Sequence, residues 1–232
     1  MMKVRKSLER GHFDFGWLDT YHTFSFGDYQ DPKYEGFRAL RVINEDRVKP
    51  SKGFQPHSHR DMEIITYILS GALQHEDSLG NRFVIRRGEI QRMSAGTGIT
   101  HSEFNASKKE EMHLLQIWIL PEQRNIAPGY EQIKINPKEM KGKWKLLVSP
   151  EGKEGPVKIH QDASIFGLRI QEDQEISYPL SKDRHAWIQV AQGRLDVSGH
   201  PLEQGDGLAV SKLSEIVFRS KEEAELLLFD LA

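Results

Sequence analysis

Short apolar, β-branched runs cut off by turn-forming clusters set the rhythm of this chain, and that rhythm constrains its fold more than any single motif. Seven runs carry it: "FRALRVINED", "MEIITYILSG", "RFVIRRGE", "MHLLQIWILP", "WKLLVSP", "AWIQVAQGRLDVSG" and "AELLLFDL". Gly, Asp, Asn and Pro punctuate them in "EDSLGNR", "NPKEMKGK", "SPEGKEGP" and "SGHPLEQGDG". Runs of this length and composition read as strands. Only short pieces, such as Asn136 to Lys141, suit a helix. The pattern is that of an all-β sandwich or barrel.

The pattern also repeats. "YILSGALQHED", "RGEIQRMS" and "SKKEEMHLLQIWIL" return in order as "IQVAQGRLDVS", "QGDGLAVS" and "SKEEAELLLFDLA". Two copies of one β-barrel unit are expected, residues 1–135 and 136–232, linked near Ile135 to Lys143.

Composition removes several function classes. The chain has 232 residues, enough for two modest cores, and a formal net charge of -2, so no nucleic-acid footprint is expected. Arg82, Arg86, Arg87 and Arg92 are interleaved with apolar residues and read as a solvated strand face. Cysteine is absent, which excludes disulfides, thiolate metal sites and cysteine nucleophiles. No apolar run reaches membrane-spanning length, and "MMKVRKSLERGH" has no signal-peptide core. A cytoplasmic protein without membrane contact is expected.

Chemistry enters at "FQPHSHRDMEIITYILSG". His57 and His59 are separated by one residue at the head of a strand-like run. On a strand, i and i+2 share a face; on a helix they would lie about 200° apart. Two imidazoles on one face suit a metal ion, although the pair alone is a weak signal. A second set appears in "GTGITHSEFN", where His101 and Glu103 are again i and i+2. The four groups can converge from two strands. Three imidazoles and a carboxylate suit Fe, Cu, Ni, Mn, Co or Zn and leave positions open on a six-coordinate ion. Aligned by eye, the second copy offers Pro179, Ser181, Leu213 and Glu215 at these positions. The metal site is therefore expected in the first copy and a structural or docking role in the second.

Two motifs then make the chain resemble a known family. "G-x3-H-x-H-x3-E-x7-G" over Gly53 to Gly71 and "G-x2-H-x3-N" over Gly98 to Asn105 are similar to the two cupin motifs. "GWLDTYHTFSFGDYQDPKYEGFRALRVINED" resembles the signature of the pirin family. The resemblance implies a bicupin: two tandem cupin β-barrels of the jelly-roll or double-stranded β-helix type, with one metal site in the N-terminal domain. It implies His57, His59, His101 and Glu103 as ligands of one divalent transition metal ion. Fe(II) is the expected ion, with Cu, Ni, Co, Mn and Zn as alternatives. Many other cupins take their carboxylate from the first motif, here Glu63. Strand parity would also turn Glu63 inward unless a bulge intervenes, so Glu63 is carried as a pocket or neighbouring acid and Glu103 as the ligand.

Some pirin-like proteins resemble quercetin 2,3-dioxygenases. The leading expectation is thus a dioxygenase that opens the heterocycle of a flavonol with O2 and releases carbon monoxide, with Glu103 or Glu63 as general base. The partners are then a small aromatic substrate and O2. Two alternatives stand beside it: an iron-dependent, redox-responsive regulator acting on a protein partner, and a cupin isomerase or decarboxylase. A monomer is favoured over an oligomer. Of the other histidines, His22 is expected to pack or hydrogen-bond, His75 to be exposed, His113 and His185 to be structural or superficial, and His160 and His200 to be incidental. Phe24, Phe26, Phe54 and Trp118 could wall a pocket but read first as core.

Overall fold

The structure, a computed structural model, describes residues 1–152 and 156–232. The turn signal of "SPEGKEGP" falls partly on residues 153–155, outside the described residues. In chain order the strands of the first half are β1 (Met2–Arg5), β2 (Gly11–Asp14), β3 (Leu18–His22), β4 (Leu40–Val48), β5 (Gly53–His59), β6 (Glu63–Ser70), β7 (Ala72–Asp77), β8 (Arg82–Arg86), β9 (Glu89–Ser94), β10 (Ile99–Asn105), β11 (Met112–Ile119) and β12 (Gly129–Lys134). The second half adds β13 (Lys145–Ser149), β14 (Val157–Lys158), β15 (Ala163–Ile170), β16 (Glu175–Pro179), β17 (His185–Gln192), β18 (Arg194–Val197), β19 (His200–Glu203), β20 (Gly207–Ser211), β21 (Glu215–Arg219) and β22 (Ala224–Leu231). The helical content is slight: Ser7–Glu9 and Pro137–Glu139 form single 3-10 turns, the second capped by the Asn136 side chain. No helix among the described residues is long and apolar enough to cross a membrane.

The expected all-β, two-cupin architecture is present. The first unit holds a large sheet in the order β12-β9-β6-β11-β4-β3-β2 and a small one in the order β5-β10-β7-β8. The second unit repeats it as β1-β20-β17-β22-β15-β13 and β16-β21-β18-β19. Its boundaries depart from a simple cut at residue 135. Met1–Arg10 group with Asn136–Pro150 and Asp162–Ala232, whereas Gly11–Ile135 group with residues 151–161. The cause is edge pairing. β1 adds to β20 in antiparallel register from Met2↔Val210 to Arg5↔Gly207, the place that β12 takes beside β9 in the first unit.

Local sequence explains the strands that matter for function. β10 alternates, with Ile99, His101, Glu103 and Asn105 buried on one face. β6 is buried on both faces as far as Leu69, so it reads as a continuous apolar run rather than an alternating one. β5 contains Pro56, which cannot donate to a central ladder, and β5 is an edge strand of its sheet. The second unit fills its interior with Ile188, Val190, Leu208, Ile216, Phe218, Leu226 and Leu228. Each such side chain contributes roughly 1.5–3 kcal/mol relative to exposure.

Candidate metal centre

The site forms where edge strand β5 meets β10. His57 lies opposite His101, and the register then slips so that Glu103 faces Phe54. Gly53 permits the close approach: a Cβ there would sit 2.1 Å from the Glu103 carbonyl oxygen. The ring centroids of His57, His59 and His101 are 4.5 to 5.0 Å apart, and one ligand nitrogen from each lies within 4.8 Å of the others. Glu103 joins through an overlapping group with His101 and His75. His101 is thus shared by two groups, one with His57 and His59 and one with His75 and Glu103, and His57, His59 and Glu103 border one cavity.

Electrostatics favours neutral imidazoles here. Burial, then the neighbouring His57, pushes His59 down to about 4. Burial, with His57, His59 and His75 around it, also lowers His101. Lone pairs are thus available, as metal ligation requires. Two atoms show how they are aimed. His57 Nδ1 lies 2.8 Å from the Gln55 carbonyl oxygen, which accepts its proton and leaves Nε2 bare. His101 Nε2 is buried and has no hydrogen-bond partner, a costly state unless it has a ligand role. The donor set fits a divalent first-row ion. Burial raises Glu103 to about 7, opposed by a hydrogen bond from Gln116 and reinforced by the charge of Asp46.

Gln116 on β11 donates from Nε2 to both Glu103 oxygens, at 3.2 and 3.0 Å. Thr66 on β6 donates to Gln116 Oε1 at 3.1 Å, which fixes the orientation of the amide. Beside them lies a cavity of about 330 Å³. Phe13, Phe26, Phe54 and Trp118 wall it, and Thr20, Asn44, Asp46, Gln116, His57, His59 and Glu103 give it polar surface. Phe24 belongs to the core instead, at 1% exposure. His22 packs against Phe13 and Phe26 and also lines the cavity.

Several expectations are corrected. Glu63 is not brought to the site. The parity argument assumed one unbroken strand, but the chain turns at Asp61, which has φ 48°, and leaves the small sheet for the large one. On β6 the residues on the cavity side are Ile64 and Thr66. Glu63, at opposite parity, is fully buried against Ser94 Oγ at 2.9 Å and His160 Nδ1 at 3.3 Å. His160 is therefore not incidental, since it faces a buried carboxylate. His75 is not exposed but fully buried. It sits on β7, directly opposite Glu103. His113 is structural, with Nε2 2.9 Å from Glu45.

The eye alignment of the second copy is also out of register. Gly71 and Gly193 occupy matching turns, and β21 pairs with β16 and β18 as β10 pairs with β5 and β7. The positions equivalent to His57, His59, His101 and Glu103 are then Tyr178, Leu180, Ile216 and Phe218, rather than Pro179, Ser181, Leu213 and Glu215. Those of Thr66, His75 and Gln116 are Ile188, Val197 and Leu228. All seven belong to one apolar core. The polar constellation is thus peculiar to the first unit. Gln116 and Thr66 left a trace in the sequence, as polar residues at inward positions of otherwise apolar strands.

The chain resembles known proteins along its whole length. The sequence profile of the pirin family matches residues 2–119, and that described as the quercetinase C-terminal cupin domain matches residues 146–231. The quercetin 2,3-dioxygenase of Escherichia coli (strain K12) is 45% identical over 231 residues, covering 100% of this chain and 99% of its own. A putative quercetin 2,3-dioxygenase of Pasteurella multocida is 44% identical over 235 residues, covering 100% of both chains. The crystal structure of the bacterial pirin YhhW from Escherichia coli in complex with nickel(II) superposes with a TM-score of 0.95 at 44% identity, covering 100% of this chain and 99% of that one. With its two cupin units, its single polar interior and relatives matched along the whole length, the chain belongs to the pirin family.

Proposed function

We propose that this chain is a metal-dependent dioxygenase that opens the heterocycle of a flavonol such as quercetin with O2 and releases carbon monoxide. His57, His59, His101 and Glu103 hold the ion, taken as Fe(II). When bound, the ion supplies Lewis acidity toward a substrate oxygen and a template for substrate and O2. The observation that carries the reading is the aromatic-walled cavity of about 330 Å³ bordered by His57, His59 and Glu103, a volume suited to a small ligand. Full-length likeness to proteins named quercetin 2,3-dioxygenase supports it.

The chain's own residues perform three tasks. Glu103 takes the proton of the substrate hydroxyl onto its carboxylate. Gln116, steadied by Thr66, keeps both carboxylate oxygens in place. The aromatic walls exclude water from the reacting face. Asn44 Oδ1 and Trp118 Nε1 border the cavity, buried and without protein partners. They orient the remaining substrate hydroxyls.

Oxygen uptake with quercetin tests this reading, using protein stripped and then reloaded separately with Fe(II), Cu(II), Ni(II), Co(II) and Mn(II). Metal-dependent uptake with carbon monoxide release is expected. No uptake from any fully loaded form would overturn the assignment. His101→Ala should lose metal and turnover together; full retention of both would move the site elsewhere.

A further inference from the structure

We infer that Asp77 and His75 form a positioning relay that fixes the tautomer of His101 and so aims its Nε2 at the metal. The inference rests on the metal-centre reading above and concerns residues behind the ligands. Asp77 lies opposite His101 on β7, and His75 lies opposite Glu103. The Asp77 carboxylate accepts hydrogen bonds from the backbone N–H groups of Leu79 and Asn81 and from the Asn81 side chain, at 2.9 to 3.1 Å. Its Oδ2 is 3.0 Å from His75 Nε2.

Each proton position then follows from the one before. An ionised carboxylate only accepts, so His75 Nε2 carries the proton. A neutral His75 then has a bare Nδ1. That atom is 3.5 Å from His101 Nδ1. Of two facing nitrogens one must donate, so His101 carries its proton on Nδ1. Nε2 of His101 is left with a lone pair, and it is the buried atom without a partner. Carboxylate–histidine chains behind metal ligands act in this way.

Two further observations support the relay. The Tyr130 ring lies against His75 at 4.9 Å and is itself stacked on Phe83 at 5.1 Å, which sets the plane of the imidazole. In the second unit the positions of Asp77, His75 and His101 hold Gly199, Val197 and Ile216, so relay and ligand are absent together.

The test is Co(II) titration into the stripped full-length protein, read by affinity and by the visible Co(II) spectrum, with circular dichroism as a check on folding. His75→Val, which copies the second unit, and Asp77→Asn should bind Co(II) about 10–100-fold more weakly with shifted bands. Asp77→Asn keeps a carbonyl oxygen for the Leu79 and Asn81 N–H groups, so it remains informative if His75→Val fails to fold. His75→Gln offers an amide oxygen to the His101 Nδ1 proton and should recover most of the affinity. Unchanged affinity and spectrum in His75→Val and Asp77→Asn would overturn the relay. So would loss of Co(II) in His75→Val with full binding in His57→Ala, which would make His75 a direct ligand. If His57→Ala and His101→Ala also bind normally, the metal-centre reading itself fails; if they lose Co(II) and the His75 and Asp77 variants do not, only the relay fails.

Discussion

Asp46 shows what a single buried acid does to this protein. Its carboxylate accepts from Thr20, yet burial dominates and raises it from 3.8 to about 6, with Glu45 and Asp19 adding repulsion. The folded state therefore holds the proton more tightly than the unfolded chain does. The resulting stability is fully present below the unfolded value and is lost as pH rises through about 6. Asp46→Asn keeps an oxygen for Thr20 and removes the charge. In metal-stripped protein it should be more stable than the parent at pH 8, by roughly 1–3 kcal/mol, and nearly equal at pH 4. Urea denaturation at both pH values measures this, and a pH-independent difference would refute it. Asp46 was visible in the sequence only as the end of a strand-like run. Its significance depends on Thr20 and Glu103, which reach it across the fold.

At the scale of elements, the β5–β10 pair joins the two halves of the ligand set. Gly53→Ala would drive a methyl into the Glu103 carbonyl oxygen, 2.1 Å away, and toward Phe104 Cα, 2.5 Å away. The strands must separate, moving His57 and His59 away from His101 and Glu103. Metal affinity should fall by at least about tenfold, with a stability cost of about 1–3 kcal/mol. Gly199→Ala is the control. It is strained at φ +86°, but nothing lies within 4 Å of its Cβ position, so it should lose stability and keep metal affinity. Calorimetric metal titration of both variants decides the matter. The i, i+2 spacings were legible because a strand's side-chain direction is local. The error over Glu63 came from extending parity through Asp61, where the chain changes sheets.

For the whole molecule, the repeated sheet order shows one unit built twice and specialised once. The completion of the second unit by β1 has a testable consequence. Lys6 Nζ and the Ser7 N–H both meet the buried Asp206 carboxylate, at 2.7 Å each. Deleting residues 1–10 would leave that carboxylate to the Glu203 N–H, 3.1 Å from its Oδ2, and open the edge of β20. Losing the partners of a buried charge costs about 3 kcal/mol, and half-exposed Lys6 tempers its share of that. The melting temperature should fall by about 6–12 °C, while Ni(II) affinity stays within a factor of about two. Scanning calorimetry and metal titration test the two halves of this expectation. An unchanged melting temperature would show that β1 is dispensable.

The sequence by itself determined the strand-rich class, the internal repeat and the faces on which His57, His59, His101 and Glu103 lie. All of these follow from residue choice and the two-residue period of an extended chain. Tertiary structure alone decided which groups stand behind and beside the ligands. His75 meets His101 across 26 residues of sequence, and Glu63 meets His160 across 97. It also decided that β1 serves the distant half of the chain. Such pairings depend on strand order and register, which come from packing one face against another, and no local pattern encodes them.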